Sequence, residues 1–175
     1  MYINRLINPD KSDKQPGFSF SDGITYINTQ QWHFAYVFFV KMHQNSKSKT
    51  VDLLYNTALC FFMAKENAKA FNLLSEAFTQ MSTPSIASDF RSEIPEALFV
   101  NEYLDNQHYL ALEASAVQQN TQLIKLRIRR LLVDVHLQLE NWQEVIKLSE
   151  LPDMIKCKNV QTAVEVAKSK TNKQI

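Results

Sequence analysis

Only two glycines, Gly17 and Gly23, occur in 175 residues, and the 152 positions after Gly23 contain none. A hairpin-rich β protein needs residues that accept positive φ at its tight turns, and glycine supplies them at least cost. The chain therefore reads as all-α. The same scarcity removes glycine-rich phosphate loops, which need close backbone approach after a strand. It removes the Gly-x-Ser-x-Gly nucleophile elbow as well.

The apolar residues recur at helical spacing. From Val51 they fall at Leu54, Ala58, Phe61 and Phe62, and after a polar break at Ala70, Leu73, Leu74, Ala77 and Phe78. Gaps of three and four place each set on one helix face, which predicts two helices joined by a short turn. Ile124, Ile128, Leu131, Leu132, Val135 and Leu139 form a second stripe, whose length favours helix over the short strand that LIKLRIR alone would also permit. Ile94 to Leu104 and Tyr109 to Val117 are expected to form another helical pair, and Val160 to Lys170 a closing amphipathic helix. Residues 1–24 hold both glycines, Pro9, Pro16 and a mixed-charge run, and read as an irregular arm.

Three breaks resemble one another: Glu66-Asn67, Asp105-Asn106 and Glu140-Asn141 each separate two apolar helical segments. Asparagine tolerates the left-handed conformation that ends helices, so these positions are expected to be tight inter-helix turns. Their spacings of 39 and 35 residues suit repeated helical hairpins.

Leu53 to Phe78, LLYNTALCFFMAKENAKAFNLLSEAF, resembles a tetratricopeptide repeat (TPR). Ala58 and Phe61 match its small and aromatic positions in the first helix, Ala70 and Ala77 its small positions in the second, and Asn56 a frequent family residue. Leu131 to Pro152, with Trp142 opening its second helix, is similar in weaker form, and Gln31 to Ala35 with Phe39 resembles a second helix whose first helix is short or degenerate, built from Ile24 to Gln30. The resemblance implies antiparallel helical hairpins stacked as a short TPR-like right-handed solenoid over residues 25–152, with 153–175 as capping helix and tail. Val160, Val164 and Ala167 would make the cap's apolar face.

Stacked hairpins leave a concave surface that commonly binds protein segments. If the family geometry holds, first helices line that groove, which puts Asp52, Tyr55, Asn56, Leu59 and Phe62 on it, then Glu93, Glu96 and Tyr103, then Arg127, Arg130, Asp134 and Gln138. The implied function is a non-catalytic protein–protein interaction adaptor. A secretion-type TPR chaperone for an apolar client, or a nucleic-acid-binding helical protein, is the alternative.

Nineteen Lys and Arg oppose eighteen Asp and Glu, so a net charge of +1 supplies no chain-wide field for nucleic acid or an anionic membrane. A nucleic-acid reading would rest on Lys125, Arg127, Arg129 and Arg130 and on the C-terminal lysines. Those four do not share one helix face, so a solvated flank is the expectation, and nucleic acid an unlikely partner. Residues 85–113 carry six acids against Arg91, and could neutralise the basic run within the chain or across a homodimer.

The aromatic residues lie at core spacing with few cations beside them, although Trp32, Tyr36 and Phe62 are candidates for an interface. His33, His43, His108 and His136 are dispersed and form no ligand motif on a helix, so no metal, cofactor or catalytic centre is expected, and His136 reads as a structural residue. Cys60 and Cys157 form no Cys-x-x-Cys pair and are expected to be free thiols. Phe34 to Val40 is the longest compact apolar cluster, short of the roughly 20 residues that span a bilayer. A cytoplasmic setting without membrane insertion is expected.

Overall fold

A computed structural model describes residues 19–82 and 95–172. Its helices are α1 (Phe20–Asn28), α2 (Trp32–Asn45), α3 (Val51–Met63), α4 (Asn67–Ser82), α5 (Val100–Leu104), α6 (Ala114–Gln119), α7 (Thr121–Gln138), α8 (Trp142–Ser149) and α9 (Lys158–Thr171). Single 3-10 turns occupy Glu96–Phe99, Gln107–Tyr109 and Met154–Lys156. No strand occurs among the described residues.

Three hairpins, α1/α2, α3/α4 and α7/α8, share one turn. Gln30, Lys65 and Glu140 take positive φ of 59°, 64° and 58° just past the first helix. In each, the left-handed residue donates to the carbonyl three back, and the next residue to the carbonyl five back: Gln31 to Tyr26, Glu66 to Phe61 and Asn141 to His136, at 2.8–3.0 Å. This paired bonding satisfies carbonyls that a helix end leaves free. The turn thus differs from expectation in two ways. Its left-handed residue is the one before the helix-opening pair rather than asparagine, and Asp105-Asn106 does not form it, Asn106 having φ of −83°.

The buried positions keep step with the turns. Seven residues before each left-handed residue stand Gly23, Ala58 and Val133, and five after it Ala35, Ala70 and Val145, all buried. Glycine and alanine there in the first two hairpins let paired helices approach closely, whereas the third carries valine at both positions. Gly23 is the extreme: a Cβ at that position would lie 2.5 Å from two ring carbons of Phe38 and 2.9 Å from Phe39 Cζ.

Helix α1 begins inside the stretch read as an irregular arm. Ser19 and Asp22 form a reciprocal capping box, in which Ser19 N–H donates to Asp22 Oδ2 at 2.7 Å and Asp22 N–H to Ser19 Oγ at 3.4 Å. That pairing satisfies two backbone donors and starts the helix at Phe20. Residues 1–18 of the arm lie outside the described residues.

Consecutive helices pack on one another from α1 to α4, and α7 then packs on α4 as the next member of the row, followed by α8 and α9. One core joins α1–α4 to the Ile124, Ile128, Leu131, Leu132 and Val135 face of α7, and a second joins Leu126 and Val133 of α7 to α8 and α9. Val160 and Ala167 of α9 are fully buried in the second core. Residues 95–120 leave the row and pack on α3, α7 and α9. The expected helical pair in this segment is therefore replaced by a five-residue helix, two 3-10 turns, an extended stretch at Leu110–Glu113 and the short α6.

Candidate functional site

The residues expected to line an open groove instead hold the chain's own residues 102–112. Tyr55 and Asn56 sit on the buried face of α3, with no exposure. The Asn56 carboxamide grips the backbone of Leu112 on both sides: Nδ2 donates to its carbonyl at 2.9 Å, and its N–H donates to Oδ1 at 2.8 Å. Tyr55 O–H donates to the carbonyl of His108. From the end of α1, Asn28 Oδ1 accepts the N–H of Ala111 at 2.9 Å.

Helix α7 supplies the other wall. Arg130, fully buried, donates from Nη1 to the carbonyl of Glu102, from Nη2 to that of Asp105 at 2.9 Å, and from Nε to Asn159 Oδ1 at 2.8 Å. Six backbone groups between Glu102 and Leu112 are thus held by side chains of α1, α3 and α7. This accounts for the missing helical pair, because a backbone bonded laterally to side chains does not need its own i to i−4 ladder. Arg127 adds a two-pronged ion pair with Glu102, Nε to Oε2 at 2.9 Å and Nη2 to Oε1. The acid-rich segment thus neutralises part of the basic run within the chain.

Asp134 is the hub of the wall. Its Oδ2 faces His108 Nε2 at 2.8 Å and accepts the Tyr109 O–H at 2.8 Å, while its Oδ1 accepts from Asn159 Nδ2 at 3.0 Å. Phe62 stacks on Tyr109 with ring centroids 5.9 Å apart. Burial pushes the His108 imidazole below its ordinary value, and Asp134 opposes this by favouring the cation. Its other nitrogen, Nδ1, is buried without a hydrogen-bond partner. A proton on Nε2, directed at the carboxylate, fits this arrangement, since a proton on Nδ1 would be buried unpaired. Burial also raises the phenols of Tyr55 and Tyr109 above their ordinary range.

Of the ten residues read as the groove, Tyr55, Asn56, Phe62, Arg127, Arg130 and Asp134 converge on this segment. Leu59 and Asp52 are buried in α3, and Gln138 is exposed near the end of α7. Tyr103 belongs to the occupying segment rather than to the wall, and is itself buried. The further face residues Glu93 and the Glu96 side chain lie outside the described residues. The solvated-flank expectation for the basic run is overturned. Arg130 is fully buried, Arg127 is spent on Glu102, and Arg129 lies over the Phe78 ring with its carbon 5.3 Å from the centroid. Sequence reasoning missed Asn28, His108, Tyr109 and Asn159. The one signal that pointed to this region was the six-acid surplus of residues 85–113 opposite a basic stretch, of which Glu102 and Asp105 fall within 102–112.

Beside the segment a cleft of about 300 Å³ is lined by Phe99, Tyr103, Leu123, Leu126, Arg129 and Asp153. Among the interface candidates, Phe62 is buried, whereas Trp32 and Tyr36 are half-buried against the first core. His136 is buried, edge-on to Phe71, with Nδ1 3.3 Å from Asn141 Nδ2. Cys60 and Cys157 are free and buried, and burial pushes their thiols up to about 12 and about 11. Among the described residues no group of three His, Cys, Asp or Glu side chains could hold a metal, and no helix is long and apolar enough to cross a membrane. No protein-family model matches the chain, and neither a curated protein nor a solved structure matches it.

Proposed function

We propose that the chain is a non-catalytic protein–protein interaction adaptor built from TPR-like helical repeats, which holds a segment of another protein and needs no cofactor. The observation that carries this reading is the wall of Tyr55, Asn56 and Arg130, whose side chains bond polypeptide backbone at Glu102, Asp105, His108 and Leu112. Groups aimed at carbonyls and N–H groups recognise a chain regardless of its side chains, the chemistry that strand-adding peptide binders also use. Three hairpins with one turn, buried residues at matching positions, and glycine or alanine there in two of them support the repeat architecture.

Two alternatives draw less support. Two central cations of the nucleic-acid reading are engaged internally, as Arg127 and Arg130 are bound to residues 102–105. The His108–Asp134 pair has the composition of an acid–base couple, yet its imidazole has no solvent exposure and its second nitrogen meets no nucleophile.

The test is affinity capture from native lysate with mass spectrometry, using the full chain, the Asn56→Ala variant and the exposed-site control Lys41→Ala on α2, each first shown to be folded. The adaptor reading expects a protein retained by the original and the control and weakened by Asn56→Ala. If no protein is retained above an empty matrix, the reading fails.

A further inference from the structure

The residues of 102–112 that meet the wall define what else would fit there. Backbone groups account for six of the contacts, and these are available from any polypeptide of similar path. The side-chain contacts are selective. Arg127 is mostly buried, and without a carboxylate in the place of Glu102 it would remain an unpaired charge in a poorly hydrated site. Asp134 asks for donors, supplied here by His108 and Tyr109, and Phe62 asks for an aromatic ring to stack upon. Leu112, buried beside Asn56, supplies the apolar anchor.

The segment is also built as a guest rather than as a member of the helical row. Its longest helix, α5, has five residues, too few to persist without support from the wall. The turn and helix that lead into it are uncovered on their outer side: Leu98, Val100 and Leu104 are 69%, 42% and 55% exposed.

Resting on the adaptor reading, we propose that the wall of α1, α3 and α7 is a receptor for an external protein segment of the same chemistry. That segment carries a carboxylate, then donor and aromatic side chains six and seven residues on, then an apolar residue at the tenth. The chain's own 102–112 is a resident competitor that the partner displaces. Exchange re-forms the same contacts, so what opposes it is tethering. A covalently attached competitor acts at an effective concentration of about millimolar order, which masks a partner of equal intrinsic affinity. Weakening the resident therefore unmasks the receptor.

The experiment uses a fluorescein-labelled synthetic peptide of residues 99–113, titrated by anisotropy against the full chain and against a full-chain variant carrying Glu102→Ala and Leu112→Ala. Binding at least tenfold tighter to the variant, and lost when Asn56→Ala is added, is the expected result. Equal or absent binding to a folded variant overturns the proposal. Hydrogen exchange on the original chain decides the matter independently, should the variant fail to fold. Amides of 102–112 are expected to open at a lower free energy than those of α3 and α7, and exchange only through global unfolding overturns displacement. A locked segment in a chain that still retains a natural partner sinks this proposal and leaves the adaptor reading standing. If no natural partner is retained by either the original or the weakened variant, the adaptor reading fails and this proposal with it.

Discussion

Asn56→Ala is the sharpest test of how the wall is held. The substitution removes both hydrogen bonds to Leu112, the donor at 2.9 Å and the acceptor at 2.8 Å, while α3 keeps its helix and its neighbouring apolar side chains. Alanine is a better helix former than asparagine, so local propensity works slightly in the variant's favour. Against this, Leu112 is 1% exposed, and its N–H and carbonyl are left facing a small void. Each buried backbone group left unpaired costs about 1–3 kcal/mol, so two together cost about 2–6 kcal/mol, the lower end applying if a water enters the void. For a domain of this size that corresponds to a fall in Tm of about 4–24 °C. Guanidinium unfolding followed by circular dichroism measures the free energy, and hydrogen exchange at Leu112 shows whether the loss is local. A cost below about 0.5 kcal/mol, the size of an ordinary surface substitution, would refute the argument that Asn56 holds the segment.

Three further outcomes follow from the packing and the turns. Gly23→Ala gains about 1 kcal/mol of helix propensity but drives a methyl into Phe38 and the buried Phe39, an overpacking cost of about 1–3 kcal/mol. Thermal unfolding is expected to show net destabilisation, with Gly23→Val worse, and a stabilised alanine variant would count against the close approach of α1 and α2. Lys65→Gly relieves a left-handed residue on an exposed turn and is expected to stabilise by about 0.5–1 kcal/mol, since the left-handed penalty of about 1–2 kcal/mol exceeds the added unfolded-state entropy. A lower Tm would contradict that geometry. His108 in the folded chain sits below its ordinary value of 6.5, so the unfolded chain takes up the proton first. Its contribution to stability is complete above about pH 6.5 and declines as the pH falls below it, while the half-buried His43 and the buried His136 act in the same direction. Denaturation midpoints between pH 8 and pH 5 are expected to fall, and to fall less in His108→Gln; an identical slope in the two proteins would remove His108 from the account.

Helix placement in this chain is a local matter, and it was legible. The spacing of Ala70, Leu73, Leu74, Ala77 and Phe78 defines a face that α4 buries, Leu73 and Phe78 in part, because 3.6-residue periodicity is fixed by backbone geometry alone. Helix α3, by contrast, buries every residue from Asp52 to Phe62 and not only the stripe of Leu54, Ala58, Phe61 and Phe62. The Ser19–Asp22 box was readable on the same terms, yet the glycine and proline content upstream masked it. So was the first hairpin, since Gly23 and Tyr26 stand in the same relation to Gln30 as Ala58 and Phe61 do to Lys65.

The sequence by itself determined that the chain is helical, where most of its helices turn, and which residues are small enough to sit between them. Only the tertiary structure decided what the polar residues of the first helices face. Asn56 meets Leu112 across 56 positions, a partner that no local pattern marks, and Arg127 meets Glu102 across 25, a pairing that the acid surplus of 85–113 suggested only at the level of the whole region. A side chain that bonds backbone leaves no trace in the residue types of its partner, since every residue but proline offers the same N–H and carbonyl. A row of tyrosine, asparagine, arginine and aspartate on helical faces therefore reads equally well as an open groove or as an occupied one, and the path of 102–112 settles which it is in this chain.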